Sequence, residues 1–324
     1  MSYKRPFQSD PALSAVAIAY TNPDASRIAD QVLPRVPVGG EEFKWTEYPI
    51  KDGFQIPDAR VGRRGRVQQM EFDANERTSS TEDYALDTPI PYSDIDKAAK
   101  NRAARRSTHD PERHSVTMLQ ETIANIREVR VAKMVHNPNT YDAARRVVLA
   151  GTDRLSDYDN SHPVDVLKEG MNRTLIHRPN TWVMSRYGWS KLSSHPKIIN
   201  AIRGAGTYDG IVRPQQVVDL FSGEGLKRIL IGEAQFNAAK PGQALDLQYA
   251  WGNHIGMLHL NRMASTQPGM ISFGYTAEYG SKFGGRIEDP DIGMEGGFRI
   301  RTGEKLKELI VAPDVGYFIQ NAFE

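Results

Sequence analysis

The stretch DPERHSVTMLQETIANIREVRVAKMV (110–135) decides how the rest of the chain is read. Asp110 suits an N-cap, because its carboxylate can accept from backbone N–H groups that a helix start leaves unpaired. Pro111 fits the first helical position, where its missing N–H costs nothing, and Glu112 complements the positive end of the helix dipole. Val116, Leu119, Ile123, Ile126 and Val129 recur at steps of three and four, which predicts a packed face. On that reading Glu121, Arg127, Glu128 and Arg130 fall on other faces. Asn137-Pro138 stops the pattern, since the residue before proline is pushed out of the helical region. At about 1.5 Å per residue, roughly 25 residues span about 40 Å. That length suits a strut with other structure hung from it.

Composition narrows what the strut can support. The 324 residues suffice for one large elaborated domain or two ordinary ones. Hydrophobic content of 39% and a mean hydropathy of −0.53 are low for an enzyme core. They fit a chain with much surface that is polar, extended or covered by partners. With 41 Lys and Arg against 40 Asp and Glu, bulk charge argues neither for nor against nucleic acid. Locally Arg60, Arg63, Arg64 and Arg66 cluster, as do Lys97, Lys100, Arg102, Arg105 and Arg106. The absence of cysteine excludes disulfides and thiolate chemistry and is compatible with a cytosol. No secretory or membrane-spanning segment is visible, the best early apolar run, Leu13 to Ala19, being short.

Upstream of the strut, residues 1 to about 40 read as an arm with one short helix near Ala25–Gln31, since Pro23, Pro34 and Pro37 keep re-imposing extended backbone. Residues 41–93 alternate in short strand-like runs around Gly53, Gly62 and Gly65, which predicts a long two-stranded projection. Isolated hairpins are marginal in water, so such a projection should dock on a neighbour. Its arginines are compatible with nucleic acid, yet charge runs more often face solvent or a partner, and no aromatic is interleaved. The basic segment Asp94–Arg106 is expected to be helical. Downstream, VDVLKEGMNRTLI (164–176) reads as an amphipathic helix opened by Ser161-His162-Pro163, TWVMS (181–185) as a buried strand, and helices are expected at about 187–192, from Pro196 and over 214–221. RILIGEAQF (228–236) and 246–260 supply further strands, and the tail from 270 to 323 is β-rich. Strands and helices alternating in the middle indicate an α/β or α+β domain.

Signs of catalysis are missing. The eight histidines show no metal spacing, and no HExxH, Walker loop or GxSxG elbow occurs. Asp153, Asp157 and Asp159 lack the glycine and terminal glutamate of a calcium loop, so turn and capping roles are expected. GAGTYDG (204–210) follows a helical segment where a dinucleotide loop would follow a strand. No cofactor or metal is expected and no enzyme is predicted.

Taken in order, AIAYTNPDASRIADQVLPRVPV (17–38), the strut with Glu128 near its end, SHPVD (161–165), RPNTWVMS (178–185), LSSHPKI (192–198), ILIGEAQFNAA (229–239), AWGNHIGMLHL (250–260) and PGMISFGYTAEY (268–279) resemble a tailed-bacteriophage major capsid protein with the Hong-Kong-97 capsid fold. The resemblance runs over essentially the whole chain. It implies an N-terminal arm over 1–40, an E-loop β-hairpin over 41–93, a peripheral P-domain over 94–179 containing the spine helix, an axial A-domain over 180–265, and P-domain strands with the C-terminus over 266–324. It further implies self-assembly as pentamers and hexamers into an icosahedral shell around double-stranded DNA held without sequence specificity. A virion capsid assembled in the bacterial host cytoplasm is the expected location. A portal, a separate scaffolding protein and a decoration or cement protein are the implied partners, because no scaffolding extension is expected ahead of the matched region. The basic E-loop residues Arg60, Arg63, Arg64 and Arg66 are expected between subunits. An encapsulin-like nanocompartment subunit is the alternative. Removal of residues 2–30 is expected to leave a soluble subunit.

Overall fold

The computed structural model describes residues 8–9, 26–47, 75–106, 110–204, 210–240, 242–261 and 271–324, together with scattered positions between 54 and 69 and Gly206. In chain order, the first elements are β1 (Gln8–Ser9), the single-turn helix α1 (Ala29–Val32), β2 (Arg35–Val38), β3 (Glu42–Glu47), β4 (Asn75–Ser80) and β5 (Glu82–Pro91). Two helices follow, α2 (Tyr92–Ala103) and the spine α3 (Pro111–Val135). Next come β6 (Arg146–Val148), α4 (Pro163–Asn172), β7 (Thr181–Ser185), α5 (Arg186–Ser193), α6 (Pro196–Arg203) and α7 (Pro214–Leu220). The chain ends in strands: β8 (Arg228–Gly232), β9 (Gln235–Asn237), β10 (Leu247–Tyr249), β11 (Ile255–Leu258), β12 (Gly274–Tyr279), β13 (Phe283–Asp289), β14 (Gly297–Ile310) and β15 (Gly316–Gln320).

The spine begins as its sequence dictates. The Asp110 carboxylate accepts from the Glu112 and Arg113 amides at 3.2 and 3.5 Å, and Pro111 opens the first turn. Helix α3 lies across one sheet with its N-terminal half and reaches a second with its C-terminal half.

That second sheet has five strands in the order β6-β15-β11-β7-β8. Alternate side chains divide between its two faces, as period-2 geometry requires. Trp182, Met184, Ile255, Met257 and Ile319 point into a core closed by α4 to α7. Val183, Leu230, Leu258 and Phe318 point the other way, against Val131, Ala132 and Val135 of the spine and against Ile28, Val32 and Leu33. Every residue of β7 is buried, which is why TWVMS carries no polar alternation.

The first sheet is built on β14. Its residues Gly297 to Leu306 pair with β5 on one side; on the other, Gly297–Gly303 pair with β13 and Leu306–Ile310 with β12. Strand β2 adds in parallel beyond β12, and β1 pairs with β13 through Gln8↔Arg286 and Ser9↔Gly285. Strands β3 and β4 form a separate two-stranded ribbon, register Glu42↔Ser80 to Glu47↔Asn75.

Four expectations change. The arm expected over 1–40 is not all arm, because Ile28, Val32 and Leu33 are core residues. The projection expected through 93 is shorter, since β5 is bonded along ten positions to β14. The last strand, expected to complete the P-domain, instead pairs with β11 and β6 in the five-stranded sheet, and Phe323 packs in its core. On the spine, Val116 and Ile123 are buried and Leu119 and Val129 half-buried, but Ile126 is 46% exposed. Arg127 and Glu128, expected on another face, are 3% and 1% exposed. The buried stripe runs Val116, Gln120, Ile123, Arg127, Val131, Val135, a helical face with polar members.

Candidate functional site: the spine junction and the outer projections

The polar side chains buried on the spine gather three distant stretches of chain. Helix α1 starts at Ile28, whose side chain offers no cap. A carboxylate one hundred residues away serves instead: Glu128 accepts from the Ile28 and Ala29 amides, each at 2.8 Å, and from Trp251 Nε1 at 2.6 Å. Burial pushes the Glu128 carboxyl above its ordinary range, opposed by these N–H donors, with Arg127 helping them. Trp251 is fully buried, and it fits because β8 ends in Gly232: a Cβ there would stand 2.1 Å from Trp251 Cδ1.

One turn along, charge takes over. Arg127 pairs with Asp30, donates to Thr276 Oγ1 at 3.1 Å and lies 3.7 Å from Glu308, whose side chain is buried. Arg130 grips the same Glu308 through Nη2 at 2.5 Å and Nε at 3.1 Å. Arg35 of β2 bonds Asp30, Glu278 and Glu304, each at 2.8 Å. Burial pushes the Asp30 carboxyl up, but Arg127 and then Arg35 outweigh it and hold it below the usual carboxylate range. Thr276, Thr302 and Glu308 bond spine side chains here, and a wholly apolar helix face would have left the buried Glu308 carboxylate without Arg127 and Arg130. Gln120 donates to Thr302 for the same reason.

Beside this seam lies a buried imidazole. His136 Nδ1 donates to the Trp251 carbonyl at 2.9 Å, its Nε2 is buried without a partner, and His254 stacks edge-on at 5.6 Å. Burial, and secondarily His254, pushes His136 down to about 3. His254 accepts from the Asn321 amide at 2.9 Å through Nδ1, and burial lowers it too. Both rings are therefore neutral, and their role is packing and hydrogen bonding.

The junction is mechanical. Among the described residues no group of His, Asp or Glu is placed to hold a metal ion, and no helix is long and apolar enough to cross a membrane. Asp157, from the rejected calcium pattern, accepts from the Asp159 and Asn160 amides in a turn.

Away from the junction, apolar side chains stand in solvent. Phe43 anchors the root of the ribbon against Val36, Tyr275 and Ala277, but beyond it Phe54, Ile56, Val61 and Val67 are exposed, Ile56 at 97%. Arg60, Arg63, Arg64 and Arg66 are exposed among them. All four lie between β3 and β4 in the chain. Ile211 is exposed ahead of α7, Leu245 and Leu247 are exposed at the separate β9–β10 hairpin, and Met294 is exposed in the turn after β13. Sequence reading missed Glu128, Arg127, Trp251, Asp30 and Arg35 as one unit. The available signal was the second stripe on the strut, which repeats as regularly as the apolar one.

No protein-family model matches the chain. A major capsid protein of Pseudomonas phage JBD67 is 41% identical over 317 residues, 98% of each chain. A major capsid protein of Burkholderia phage BcepMu is 28% identical over 322 residues, 96% of this chain and 95% of that one. Among solved structures, a phage-related protein from Bordetella bronchiseptica superposes with a TM-score of 0.69 at 19% identity, covering 98% of both chains. The capsid of cyanophage P-SCSP1u gives 0.57 at 11% identity over 93% of this chain and 90% of that one. The two sheets, the spine between them and the projecting ribbon are thus those of the Hong-Kong-97 capsid fold, and the chain belongs to the family of phage major capsid proteins.

Proposed function

We propose that this chain is the repeating wall unit of a phage head, closing as pentamers and hexamers into an icosahedral shell around double-stranded DNA. The observation that carries the reading is that exposed large apolar side chains occur in several separate stretches: between β3 and β4, ahead of α7 and at the β9–β10 hairpin, and in the turn after β13. Each such side chain contributes about 1.5–3 kcal/mol if a neighbour covers it, so several per contact offset the cost of association. Repeated contacts between different patches on identical copies close a shell when the rotation closes. In this reading the ribbon with Arg60, Arg63, Arg64 and Arg66 lies between subunits, and the N-terminal arm serves contacts to a neighbour. A portal and a separate scaffolding protein are the partners this reading calls for, a decoration or cement protein is an optional addition, and assembly takes place in the host cytoplasm.

Purified particles test it. Electron micrographs of the expressed chain should show closed shells, and particles from infected cells should yield DNA. Shells filled with cargo protein and free of DNA would establish a nanocompartment instead. Removing residues 2–30 takes away Ile28 and Ala29 and should unfold the junction, so the arm is tested by removing 2–25 alone. That truncation should leave a folded subunit unable to close shells; normal shells would refute the arm's role.

A further inference from the structure

The run KAAKNRAARR (97–106) holds five cations and no carboxylate in a chain whose net charge is only +1. Helix α2 ends inside it. The Arg105 amide donates to the Arg102 carbonyl at 3.0 Å and the Arg106 amide to the Asn101 carbonyl at 2.9 Å, a Schellman turn with Arg105 at φ 53°. Glycine is the usual residue at that position, because a Cβ crowds the carbonyl in the left-handed region. Here an arginine holds it, so the backbone carries strain while a guanidinium stands at the corner.

Arg102 is tied to Asp110 at 3.4 Å. Lys97, Lys100, Arg105 and Arg106 are exposed, and among the described residues no hydrogen bond or ion pair engages their side chains. Asp94 and Asp96 sit nearer the opposite end of α2, and Asp110 is also within 3.7 Å of Arg113. What separates the cations is Ala99, Ala103 and Ala104, all exposed and all short.

We propose that this corner binds the phosphate backbone of double-stranded nucleic acid without regard to sequence. A protein partner would be expected to find an aromatic or large aliphatic anchor, and the corner has none. A single strand would need stacking platforms. Tyr92, the aromatic of α2, is engaged by Glu288 at 2.5 Å and packed edge-on against Phe298. Unpaired lysines and arginines over a floor of alanines suit a rigid line of phosphates, because nothing bulky keeps the backbone away. The second basic cluster differs in kind, since Val61 and Val67 stand exposed among Arg60, Arg63, Arg64 and Arg66, as a protein contact requires. The proposal leans on the shell reading only for the identity of the polyanion, the enclosed DNA.

The test uses full-length subunits and a labelled duplex of mixed sequence, with anisotropy followed across a salt series. Four phosphate contacts predict a slope of log affinity against log salt of about −3.6. The combined variant Lys97→Gln, Lys100→Gln, Arg105→Gly, Arg106→Gln should lose at least tenfold in affinity and most of that slope. Arg105→Gly relieves the turn, so the variant should melt no lower than the parent. The counterpart Arg60→Gln, Arg63→Gln, Arg64→Gln, Arg66→Gln should keep duplex affinity. Unchanged affinity and slope in the first variant, or loss in the second instead, would overturn the proposal. So would a polyglutamate peptide that displaces the duplex at lower charge concentration, because the corner would then be a protein site. Shell formation by the parent chain is scored separately: its failure would strike the capsid reading and leave the duplex measurement standing.

Discussion

The two large sheets are held in different ways. The five-stranded sheet is sealed by apolar side chains on both faces, with Trp182, Leu192 and Ile198 fully buried on one and Val183 and Phe318 on the other. The six-stranded sheet has small apolar clusters, one around Ile90, Val116 and Ile300 and another around Val36, Phe43, Tyr275 and Ala277. Between them it meets the spine through Gln120, Arg127 and Arg130, which bond Thr302, Thr276 and Glu308. Apolar burial is non-directional and adds up with area. A buried charged seam contributes little net stability, because desolvation offsets most of the attraction, but it penalises any arrangement that leaves a charge unpaired. One sheet therefore supplies most of the subunit's stability, and the other supplies alignment for the ribbon, the inner end of the arm and the spine.

The contrast can be broken by mutation. Trp182→Ala should cost about 3–5 kcal/mol in denaturant unfolding, whereas Val116→Ala, in a cluster of few members, should cost about 1–2 kcal/mol. Equal losses would mean that the two sheets share one core. At the junction, Glu128→Ala strands two amides and an indole N–H and should cost about 3 kcal/mol. Glu128→Gln keeps one acceptor oxygen, which at the Oε1 position retains the Ile28 and Trp251 donors and strands only the Ala29 amide, so it should cost about 1–2 kcal/mol less than Glu128→Ala. A Gln variant as unstable as the Ala one, compared by melting temperature, would show that both carboxylate oxygens are required.

A further effect, smaller than the losses at Trp182 and Glu128, concerns pH. His136 titrates near 3 when folded and near 6.5 when unfolded, so its contribution is complete above pH 6.5 and is lost as pH falls toward 3. The slope is about 1.4 kcal/mol per pH unit, or roughly 2 kcal/mol between pH 6.5 and pH 5. His195, pushed by burial to about 4, adds a parallel loss. Glu128, raised by burial, works in the opposite direction and gains as pH falls. His136→Gln should flatten the dependence of melting temperature on pH, and an unchanged slope would remove His136 as its source.

Much of the fold was legible in local sequence. The spine's start came from Asp110-Pro111-Glu112, β7 from an unbroken apolar run, and α6 and α7 from prolines ahead of periodic apolar residues. The face of the spine was not legible, because hydropathy favours the stripe through Leu119 and Ile126, and Gln120 and Arg127 look like solvent residues until Thr302 and Glu308 are placed opposite them. The boundaries of the arm and of the C-terminal strand failed for a related reason. Nothing near Ile28 in the sequence announces a cap supplied by Glu128, and nothing in GYFIQ says which sheet it enters.

By itself, then, the sequence determined where many of the helices and strands start and stop, that no thiol chemistry is available, and which family the chain resembles. These follow from short-range backbone sterics, from capping and from composition. Tertiary structure alone decided that the spine buries arginine and glutamate, that residues 26–38 belong to the core, and that the last strand joins the five-stranded sheet. The physical reason is common to all three. A buried polar group is stable only if its partner arrives, and that partner comes from about a hundred or more residues away.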